Sequence, residues 1–528
     1  MRAPKFDDGR LFRYGPHYRG EERTTALDWS SWPGASGGFL GAVEMCNNNG
    51  ACRKSRGGVM CPSFRVTREE RDVTRGRANT LRLALTGQLR AEAFTSDRMA
   101  ETLELCVSCK ACRRECPTGV DMARMKIEVL AARAAKHGLS LHDRLVGYLP
   151  RYAPIAARVP WLLNLRDTLP GAAALAQALA GFSARRPLPR WRSDYFRDDE
   201  GTMSWAHSHA SSGEIFTSRR GGEVDPRRRR GSDEGVTTSE IQRRSDPRHP
   251  IPVPAVDTEE KAARSGPDAV GPHLHNKDVV LFADTFNRYF ERENIDAALA
   301  ILAAGGYRAT IARPPRNGSA RPLCCGRTFL AVGKVDEARR EAERVVEAVM
   351  PFVGRGIPVV GLEPSCILGF RDEIPALLRT DAARRLAEQT FMFEEFLIAE
   401  ADAGRLDLQF ARTERRALLH GHCHQKSFGA FGAVERALRL VPGLQVETIE
   451  SSCCGMAGAF GYRPHTIDVS LAMGELSLLP AVRNASTETM ILADGTSCRQ
   501  QIRDGTGRES LHVARVLAQA CKQRETEL

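Results

Sequence analysis

Four closely spaced cysteines followed by a proline are the part of the sequence whose chemistry is easiest to interpret. The run is Cys-x2-Cys-x2-Cys-x3-Cys-Pro, and its members are Cys106, Cys109, Cys112, Cys116 and Pro117. Three thiolates from one tight turn can each bind a different iron of a cubane cluster, while the fourth points away and can bind a second cluster. Zinc can also use Cys-x-x-Cys pairs, but the compact spacing and the trailing proline favour an iron–sulfur cluster.

A second cysteine run lies upstream and supplies the partner that such crossed ligation requires. Cys46, Cys52 and Cys61, followed by Pro62, have the same ends as the first run with a longer middle. Crossed ligation therefore predicts two sets of thiolates. The complete set is Cys61, Cys106, Cys109 and Cys112, and the other set is Cys46, Cys52 and Cys116.

Asn49 occupies the position where a fourth cysteine of the smaller set is expected. With three thiolates, that site can hold a 3Fe–4S cluster, or a 4Fe–4S cluster whose remaining iron takes an oxygen, nitrogen or water ligand. Asn is also common in tight turns, and the Asn-Asn-Asn-Gly sequence at 47–50 favours turn geometry as the reason for Asn49. We therefore expect two N-terminal cubane-type clusters of unequal ligation.

The cysteines after residue 323 form a second group with a repeated order. Each repeat reads strand, helix, strand, Cys-Cys-Gly, helix, strand, Cys, which predicts a duplicated α/β unit. In parallel α/β sheets, the residues that follow strands collect at the edge where ligands bind. The candidate metal ligands are Cys324, Cys325 and Cys366 in the first copy and Cys423, Cys453, Cys454 and Cys498 in the second.

Adjacent cysteines suit a polynuclear cluster, because their side chains diverge and bind one small ion poorly. A further iron–sulfur cluster is therefore expected at the second copy, with a zinc site or a redox-active thiol pair as alternatives. Three histidines flank Cys423, namely His420, His422 and His424. They could tune the cluster, bind it or carry protons for a quinone; polar packing around a turn is the other interpretation. Cys521 is expected to be structural.

No other motif of catalytic chemistry is apparent. Neither an acid–base pair nor a nucleophile can be assigned, so the catalytic residues are unknown. Gly455, Gly458 and Gly461 are spaced by three and do not match the G-x-G-x-x-G fingerprint. No organic cofactor site is therefore assigned to this chain.

The elements that position these cysteines predict a multidomain chain. A mostly α-helical, ferredoxin-like domain with two clusters precedes a duplicated α/β cysteine-rich domain. The expected boundaries are an irregular lead-in at 1–40, the two-cluster domain at 41–185, a disordered linker or insertion at 186–275, and the tandem Cys-Cys-Gly (CCG) domain at 276–528. The linker assignment follows from its Arg, Ser, Gly and Pro content and its lack of hydrophobic periodicity.

Secondary structure can be predicted in both parts. Strands are expected at Val279–Ala283, Ala309–Ala312, Ile357–Leu362, Ala417–Leu419, Gln445–Ile449 and Met490–Ala493. Helices are expected from Met122 to about Ala180, with breaks at Pro150, Pro154, Pro160 and Pro170. The stretch Ile155–Phe182 reads as an amphipathic helix pair packed on the core, or in contact with a membrane surface.

The amino-acid composition limits which cellular compartment and which classes of partner are expected. The net charge is +11, but part of it is the arginine run at 227–230, and no nucleic-acid motif accompanies that run. A solvated linker and no nucleic-acid partner are therefore expected. The N-terminus lacks the apolar core of a signal peptide, so a cytoplasmic protein is expected. Peripheral contact with the cytoplasmic membrane is an additional option. In such a reducing compartment the 15 cysteines are expected to be metal ligands rather than disulfides.

The cysteine motifs together resemble a known family. The CCG repeats are similar to the cysteine-rich domain of heterodisulfide reductase subunits and of the iron–sulfur subunits of glycolate and lactate oxidases. Residues 45–54 and 106–121 add to this resemblance. The whole pattern is similar to the C-terminal iron–sulfur half of FAD-binding and iron–sulfur-binding oxidoreductases of the glycolate oxidase, D-lactate and D-2-hydroxyglutarate dehydrogenase type.

That resemblance implies an oxidoreductase component that transfers electrons. Its partners would be an FAD-binding oxidase subunit or domain that oxidises a 2-hydroxy acid, and a quinone or other acceptor. One alternative is a thiol/disulfide reductase of the heterodisulfide reductase kind, although neither copy has the five thiolates of that catalytic cluster and Asp284-Thr285 replaces the upstream cysteine of the first copy. The other alternative is a non-catalytic iron–sulfur scaffold or sensor.

Overall fold

The computed structural model of the 528-residue chain describes residue 20 and residues 23–32, 37–90, 92–199, 277–315 and 319–522. These residues form a substantially helical structure with two small parallel sheets. A helical N-terminal region followed by an α/β region agrees with the sequence prediction at this level. Most of the predicted linker lies outside the described residues.

The N-terminal region contains short helices separated by the loops that carry the cysteines. Its helices are α1 (Gly38–Glu44), α2 (Pro62–Thr67), α3 (Thr74–Leu85), α4 (Asp97–Glu104), α5 (Ala111–Glu115), α6 (Met122–His137), α7 (Leu141–Gly147), α8 (Leu149–Ala156), α9 (Pro160–Thr168) and α10 (Ala172–Ala180). Polar side chains fix some of the starts: Ser96 accepts a hydrogen bond from the Met99 amide, and Asp121 accepts one from the Arg124 amide.

Prolines define the later helices, but only partly as predicted. Pro160 begins α9 and Pro170 lies between α9 and α10, as expected. A helix boundary is also present at Pro150, since α7 ends at Gly147 and α8 begins at Leu149, whereas the break predicted at Pro154 is wrong. Pro150 lies in the first turn of α8, where its missing amide hydrogen is not needed, and Pro154 is inside the same helix.

All neighbouring strands within each sheet are parallel. The first sheet has the order β2-β1-β3-β4 and the second has the order β6-β5-β7. The strands are β1 (Asp278–Phe282), β2 (Arg308–Ile311), β3 (Val359–Gly361), β4 (Thr390–Met392), β5 (Arg416–Leu419), β6 (Gln445–Thr448) and β7 (Met490–Leu492). The six predicted strands are present within a residue or two, and β4 is an additional strand.

Helices connect these strands. They are α11 (Thr285–Phe290), α12 (Glu293–Ala304), α13 (Arg327–Ala331), α14 (Val335–Val353), α15 (Pro364–Ile367), α16 (Glu373–Leu378), α17 (Asp381–Glu388), α18 (Phe393–Asp402), α19 (Cys423–Phe428), α20 (Phe431–Arg439), α21 (Ile467–Glu475), α22 (Leu478–Asn484), α23 (Thr496–Thr506) and α24 (Val513–Ala520). Each of these connections brings the chain back to the end of the sheet where the previous strand began, as parallel pairing requires.

One hydrophobic core spans the N-terminal region and the second sheet. It includes Leu81 and Met125 from the helical region together with Leu418 and Ile491 from the second sheet. Residues 186–199 also pack on the C-terminal part: the Phe196 amide donates to the carbonyl oxygen of Arg288 at 3.0 Å. The packed N-terminal chain therefore extends beyond the start of the predicted linker.

Helices α9 and α10 contribute no buried residue. They pack against each other and leave large apolar side chains in solvent. The expectation that this pair packs on the core is therefore wrong for α9 and α10. Among the residues that the structure describes, no helix combines the length and apolar character that crossing a membrane requires.

Candidate metal centres

Cys61, Cys106, Cys109 and Cys112 line one cavity. Cys61 precedes α2, and Cys112 lies in α5. Cys106 and Cys109 lie in the loop that connects α4 to α5. Within that loop, Ser108 and Lys110 have φ angles of 51° and 60°, a left-handed conformation that is uncommon for residues other than glycine. The structure thus brings together all four members of the complete thiolate set.

The environment of this set suits a buried metal centre. Burial raises the pKa of the Cys61, Cys109 and Cys112 thiols, so that without metal these thiols are protonated. Thiolate ligation must then release their protons, which couples cluster binding to pH. The Thr74 amide donates to Cys61 Sγ at 3.2 Å and can stabilise the sulfur charge of a bound cluster.

The smaller set is also brought together. Burial raises the pKa of Cys46, with a further increase from the charge of Cys116, and burial raises the pKa of Cys52 to about 11. Cys116 Sγ lies 3.3 Å from Thr118 Oγ1. These three thiols form a second group beside the first, as crossed ligation predicts.

Asn49 is exposed and its polar atoms bond locally. Its Oδ1 accepts a hydrogen bond from the Ala51 amide at 2.8 Å, and its Nδ2 donates to Asn47 Oδ1 at 2.5 Å. The side chain therefore shapes the turn before Cys52, which agrees with the turn interpretation.

The C-terminal cysteines follow the carboxyl ends of parallel strands. Cys423 begins α19 after β5, Cys453 and Cys454 follow β6, and Cys498 lies in α23 after β7. A hydrogen bond with Cys453 lowers the pKa of Cys423 to about 7, and hydrogen bonds with Cys453 and Cys498 hold the pKa of Cys454 well below its usual value. These four thiols are thus contiguous, and hydrogen bonds from Cys453 and Cys498 favour the ionised forms of Cys423 and Cys454 over their own.

His420 belongs to the same group. One of its ring nitrogens and the Sγ atoms of Cys454 and Cys498 lie within 4.8 Å of one another, and all three residues are buried. Of the two other histidines, His424 has its Nε2 3.0 Å from the carbonyl oxygen of Ser108. The sequence pattern therefore placed all three histidines near Cys423, but their surroundings differ.

Cys324, Cys325 and Cys366 form the remaining group. Cys325 Sγ lies 3.1 Å from Cys366 Sγ, and Cys324 Sγ accepts from the Gly326 amide at 3.4 Å. Although its hydrogen bond with Cys325 opposes the change, burial and the nearby Asp284 raise the pKa of Cys366 to about 12. Asp284 caps α11 through the Phe286 and Asn287 amides, so its position after β1 is explained by helix capping.

Cys521 lies apart from these groups. It follows the last residue of α24 rather than lying within the helix, and it is partly exposed. Its backbone pairs with Phe410 through an isolated antiparallel bridge. It therefore lies outside the four thiol groups.

The loop that carries Cys106 and Cys109 contacts α19, the helix that begins at Cys423. Ser427 Oγ donates to the carbonyl oxygen of Cys109 at 2.8 Å, and the charge of Cys423 adds to burial in raising the pKa of Cys109. Lys110, in the same loop, forms ion pairs with Asp372 and Glu373. Sequence reasoning missed this contact, because a single lysine and a distant acidic pair carry no pairing signal.

Comparisons with known proteins agree with these groups of thiols. Residues 42–120 match the 4Fe-4S dicluster domain. One subunit of the anaerobic glycerol-3-phosphate dehydrogenase of Escherichia coli (strain K12) is 30% identical over 198 residues, which are 37% of this chain and 49% of that protein.

Longer but weaker similarity is found to "D-2-hydroxyglutarate dehydrogenase". The Pantoea ananatis (strain AJ13355) protein is 23% identical over 523 residues, covering 91% of this chain and 43% of that protein. The Escherichia coli (strain K12) protein is 22% identical over 509 residues, covering 89% and 43%. The chain thus spans less than half the length of these relatives. It contains a 4Fe-4S dicluster domain and is similar to iron–sulfur oxidoreductases, which confirms the resemblance to the iron–sulfur part of FAD-linked oxidoreductases.

Proposed function

We propose that this chain is the iron–sulfur electron-transfer subunit of a flavin-linked 2-hydroxy-acid dehydrogenase or oxidase. Electrons would enter from a partner flavin and leave to a quinone or another acceptor. The observation that carries the proposal is the contact between the complete N-terminal thiol set and the second CCG copy, made by Ser427 on Cys109.

The thiol groups fit iron–sulfur clusters. Three buried cysteines and the partly exposed Cys106 line a shared cavity at the complete set, and the donor chemistry is thiolate throughout. When bound, such clusters supply one-electron steps at each site. The chain's own residues hold them, exclude water from them and donate hydrogen bonds to their sulfurs, as Thr74 does at Cys61.

The two sheets support a duplicated CCG domain. In each sheet a central strand, β1 or β5, pairs in parallel with two strands that precede cysteines. Loss of the upstream cysteine in the first copy, where Asp284 caps a helix, leaves that copy with three thiols. We therefore assign the further cluster to the second copy, with Cys423, Cys453, Cys454 and Cys498 as ligands.

A flavin is needed because oxidation of a 2-hydroxy acid removes two electrons at one carbon. Flavins accept two electrons and release them singly, which is why they are paired with one-electron relays. Two of the relatives above are named dehydrogenases of D-2-hydroxyglutarate, and this chain covers 43% of their length. The flavin would be carried by an FAD-binding subunit or domain that docks near the N-terminal thiol sets.

Contact with a membrane surface is part of the proposal. Large apolar side chains on α8–α10 are exposed, with Ile155 and Trp161 each at 67% and Leu175 at 61%. A patch of this kind is unusual on a protein surface that faces only water. Arg158, between α8 and α9, is also exposed and suits anionic lipid headgroups. An interfacial position of α8–α10 would bring the chain close to a membrane quinone.

The short distance between Cys325 Sγ and Cys366 Sγ favours a second candidate function. Two sulfurs 3.1 Å apart can form a disulfide with little movement, so a thiol/disulfide reductase remains an alternative. Mass spectrometry after alkylation under oxidising and reducing conditions would detect such a pair. Reversible loss of two alkylation sites at these cysteines, at potentials reached by the clusters, would support the alternative.

The main proposal is tested by electron transfer from a partner. The anaerobically reconstituted chain should be brown, free of flavin, and inactive with D-lactate, glycolate or D-2-hydroxyglutarate and artificial acceptors. Addition of a matched flavoprotein and its 2-hydroxy acid should bleach the cluster absorption. Stoichiometric FAD in the isolated chain, or turnover without a partner, would contradict it.

A further inference from the structure

His420 presents a ring nitrogen to the sulfurs of the second CCG copy. The residue is fully buried, and among the described residues its Nε2 has no nitrogen or oxygen partner, whereas a hydrogen bond links the ring to Cys454. One ring nitrogen lies within 4.8 Å of Cys454 Sγ and Cys498 Sγ. Because Nδ1 is engaged elsewhere, Nε2 is the nitrogen available to these thiols.

Ser451 allows the imidazole proton to lie on Nδ1. His420 Nδ1 is 2.8 Å from Ser451 Oγ. That hydroxyl has the carbonyl oxygen of Ile449 as an acceptor for its own hydrogen at 3.4 Å, and Lys426 Nζ approaches it at 3.3 Å as a donor. With Nδ1–H donating to Ser451 Oγ, the neutral imidazole has its lone pair on Nε2.

The neighbouring histidines do not offer Nε2 as an acceptor. His422 Nδ1 accepts from the His424 amide at 3.1 Å, so in the neutral ring its proton is on Nε2. That Nε2 lies beside Gly495, where an added Cβ would be 3.2 Å from it and 3.3 Å from Cys498 Sγ. His422 is thus placed to donate to sulfur, whereas His424 Nε2 pairs with the Ser108 carbonyl.

We propose that His420 Nε2 is a direct ligand of the iron–sulfur centre at the second CCG copy, alongside the four thiolates of Cys423, Cys453, Cys454 and Cys498. This rests on the proposed function, because it assumes that a cluster binds there. The lone pair of Nε2 forms the bond to iron and no proton leaves the ring. A second-sphere hydrogen bond of the Ser451 type is the usual way in which a metal-bound histidine is oriented.

A neutral imidazole as the fifth ligand leaves the cluster less negative than a fifth thiolate would, and a less negative cluster has a higher reduction potential. The ligand set is thereby also different from the all-thiolate set at Cys61, Cys106, Cys109 and Cys112.

The test uses the full-length chain reconstituted with iron and sulfide and labelled with 15N-histidine. Pulsed electron paramagnetic resonance of the reduced protein should show coupling to a histidine nitrogen, which changes on labelling. His420→Cys should retain iron, lose that coupling and shift the midpoint potential of one cluster downward. His422→Gln is the matched control, since it removes a neighbouring imidazole whose Nδ1 is occupied by the His424 amide, and it should keep the coupling.

Each failure has a separate meaning. Coupling that persists in His420→Cys, or is lost only in His422→Gln, overturns the ligand assignment and leaves electron transfer intact. Zinc in place of iron at this site overturns it as well. If the combined variant Cys453→Ala and Cys454→Ala loses no iron, the second copy holds no cluster, and that part of the proposed function fails together with the inference. Should His420→Cys fail to fold, Ser451→Ala keeps the imidazole and should alter the nitrogen coupling without removing iron.

Discussion

Lys110 Nζ lies 2.7 Å from Glu373 Oε1, and it forms a second ion pair with Asp372. The side chains of Lys110 and Asp372 are 3% and 4% exposed. Although burial opposes the change, these two carboxylates raise the pKa of Lys110, which keeps it charged. The pairs attach the loop between Cys109 and Cys112 to the first half of the α/β region.

Replacing Lys110 with methionine should destabilise the protein strongly. Removal of one partner from a buried ion pair leaves uncompensated charge and costs about 3–5 kcal/mol. Urea unfolding of the reconstituted chain, followed by cluster absorption, should show a lower midpoint. Arg436→Ala removes the exposed pair with Asp402 and should leave the midpoint nearly unchanged. Equal midpoints for Lys110→Met and wild type would show that the pairs do not contribute.

His142 should make stability depend on pH. Burial lowers its pKa from an ordinary value near 6.5 to about 4. Between these two pKa values the unfolded chain binds a proton at His142 that the folded chain does not bind. Stability therefore falls as the pH decreases from about 6.5 toward 4. At pH 5.5 the loss relative to pH 7.5 is about 1 kcal/mol.

His142→Phe should remove this loss, because phenylalanine can keep the contact with Phe182, whose ring centroid is 4.4 Å away. The free energy of unfolding is measured by urea titration at pH 7.5 and 5.5 for both proteins. All other titrating groups are shared, so the difference between the two proteins isolates position 142. A difference that is the same at both pH values would disprove the effect.

The two N-terminal clusters should be spectroscopically unequal, because one set has four thiols and the other has three. Electron paramagnetic resonance of the whole reconstituted chain should show two distinct N-terminal species. Cys109→Ala should remove the signal of the complete set, and Cys46→Ala should remove the other. Two identical four-iron signals would contradict the asymmetry.

Vesicle binding tests the exposed patch on α8–α10. Trp161→Ser combined with Leu175→Ser should weaken sedimentation with vesicles containing anionic lipid by at least about tenfold, because each loses exposed apolar contact area. Leu476→Ser is the control, since Leu476 is 42% exposed outside this patch. Equal binding by the patch variant and the control variant would remove the membrane assignment.

The sequence predicted the parts of the structure that depend on local patterns. Cysteine spacing predicted which thiols share a site, because crossed ligation relates two short runs. Apolar runs predicted six of the seven strands. The strand β4 was missed because it has three residues, Thr390–Met392, and is defined by pairing with β3 rather than by its own pattern.

Features that depend on distant pairing could not be predicted in this way. The pairing of Lys110 with Asp372 joins residues far apart in sequence, and no periodicity marks it. Amphipathic spacing in α9 and α10 indicated an apolar face but not what covers that face. For His420, the sequence showed proximity to Cys423, whereas its tautomer depends on Ser451, which lies beyond the next strand.

The contacts from α19 to the N-terminal loop have a consequence for biosynthesis. The carbonyl oxygens of Ser108 and Cys109 pair with His424 and Ser427, which the ribosome adds more than three hundred residues later. The first cysteine run therefore leaves the ribosome long before its loop has these partners. The complete set therefore reaches its final packed environment only after α19 has been made, and a cluster inserted earlier would lack these contacts.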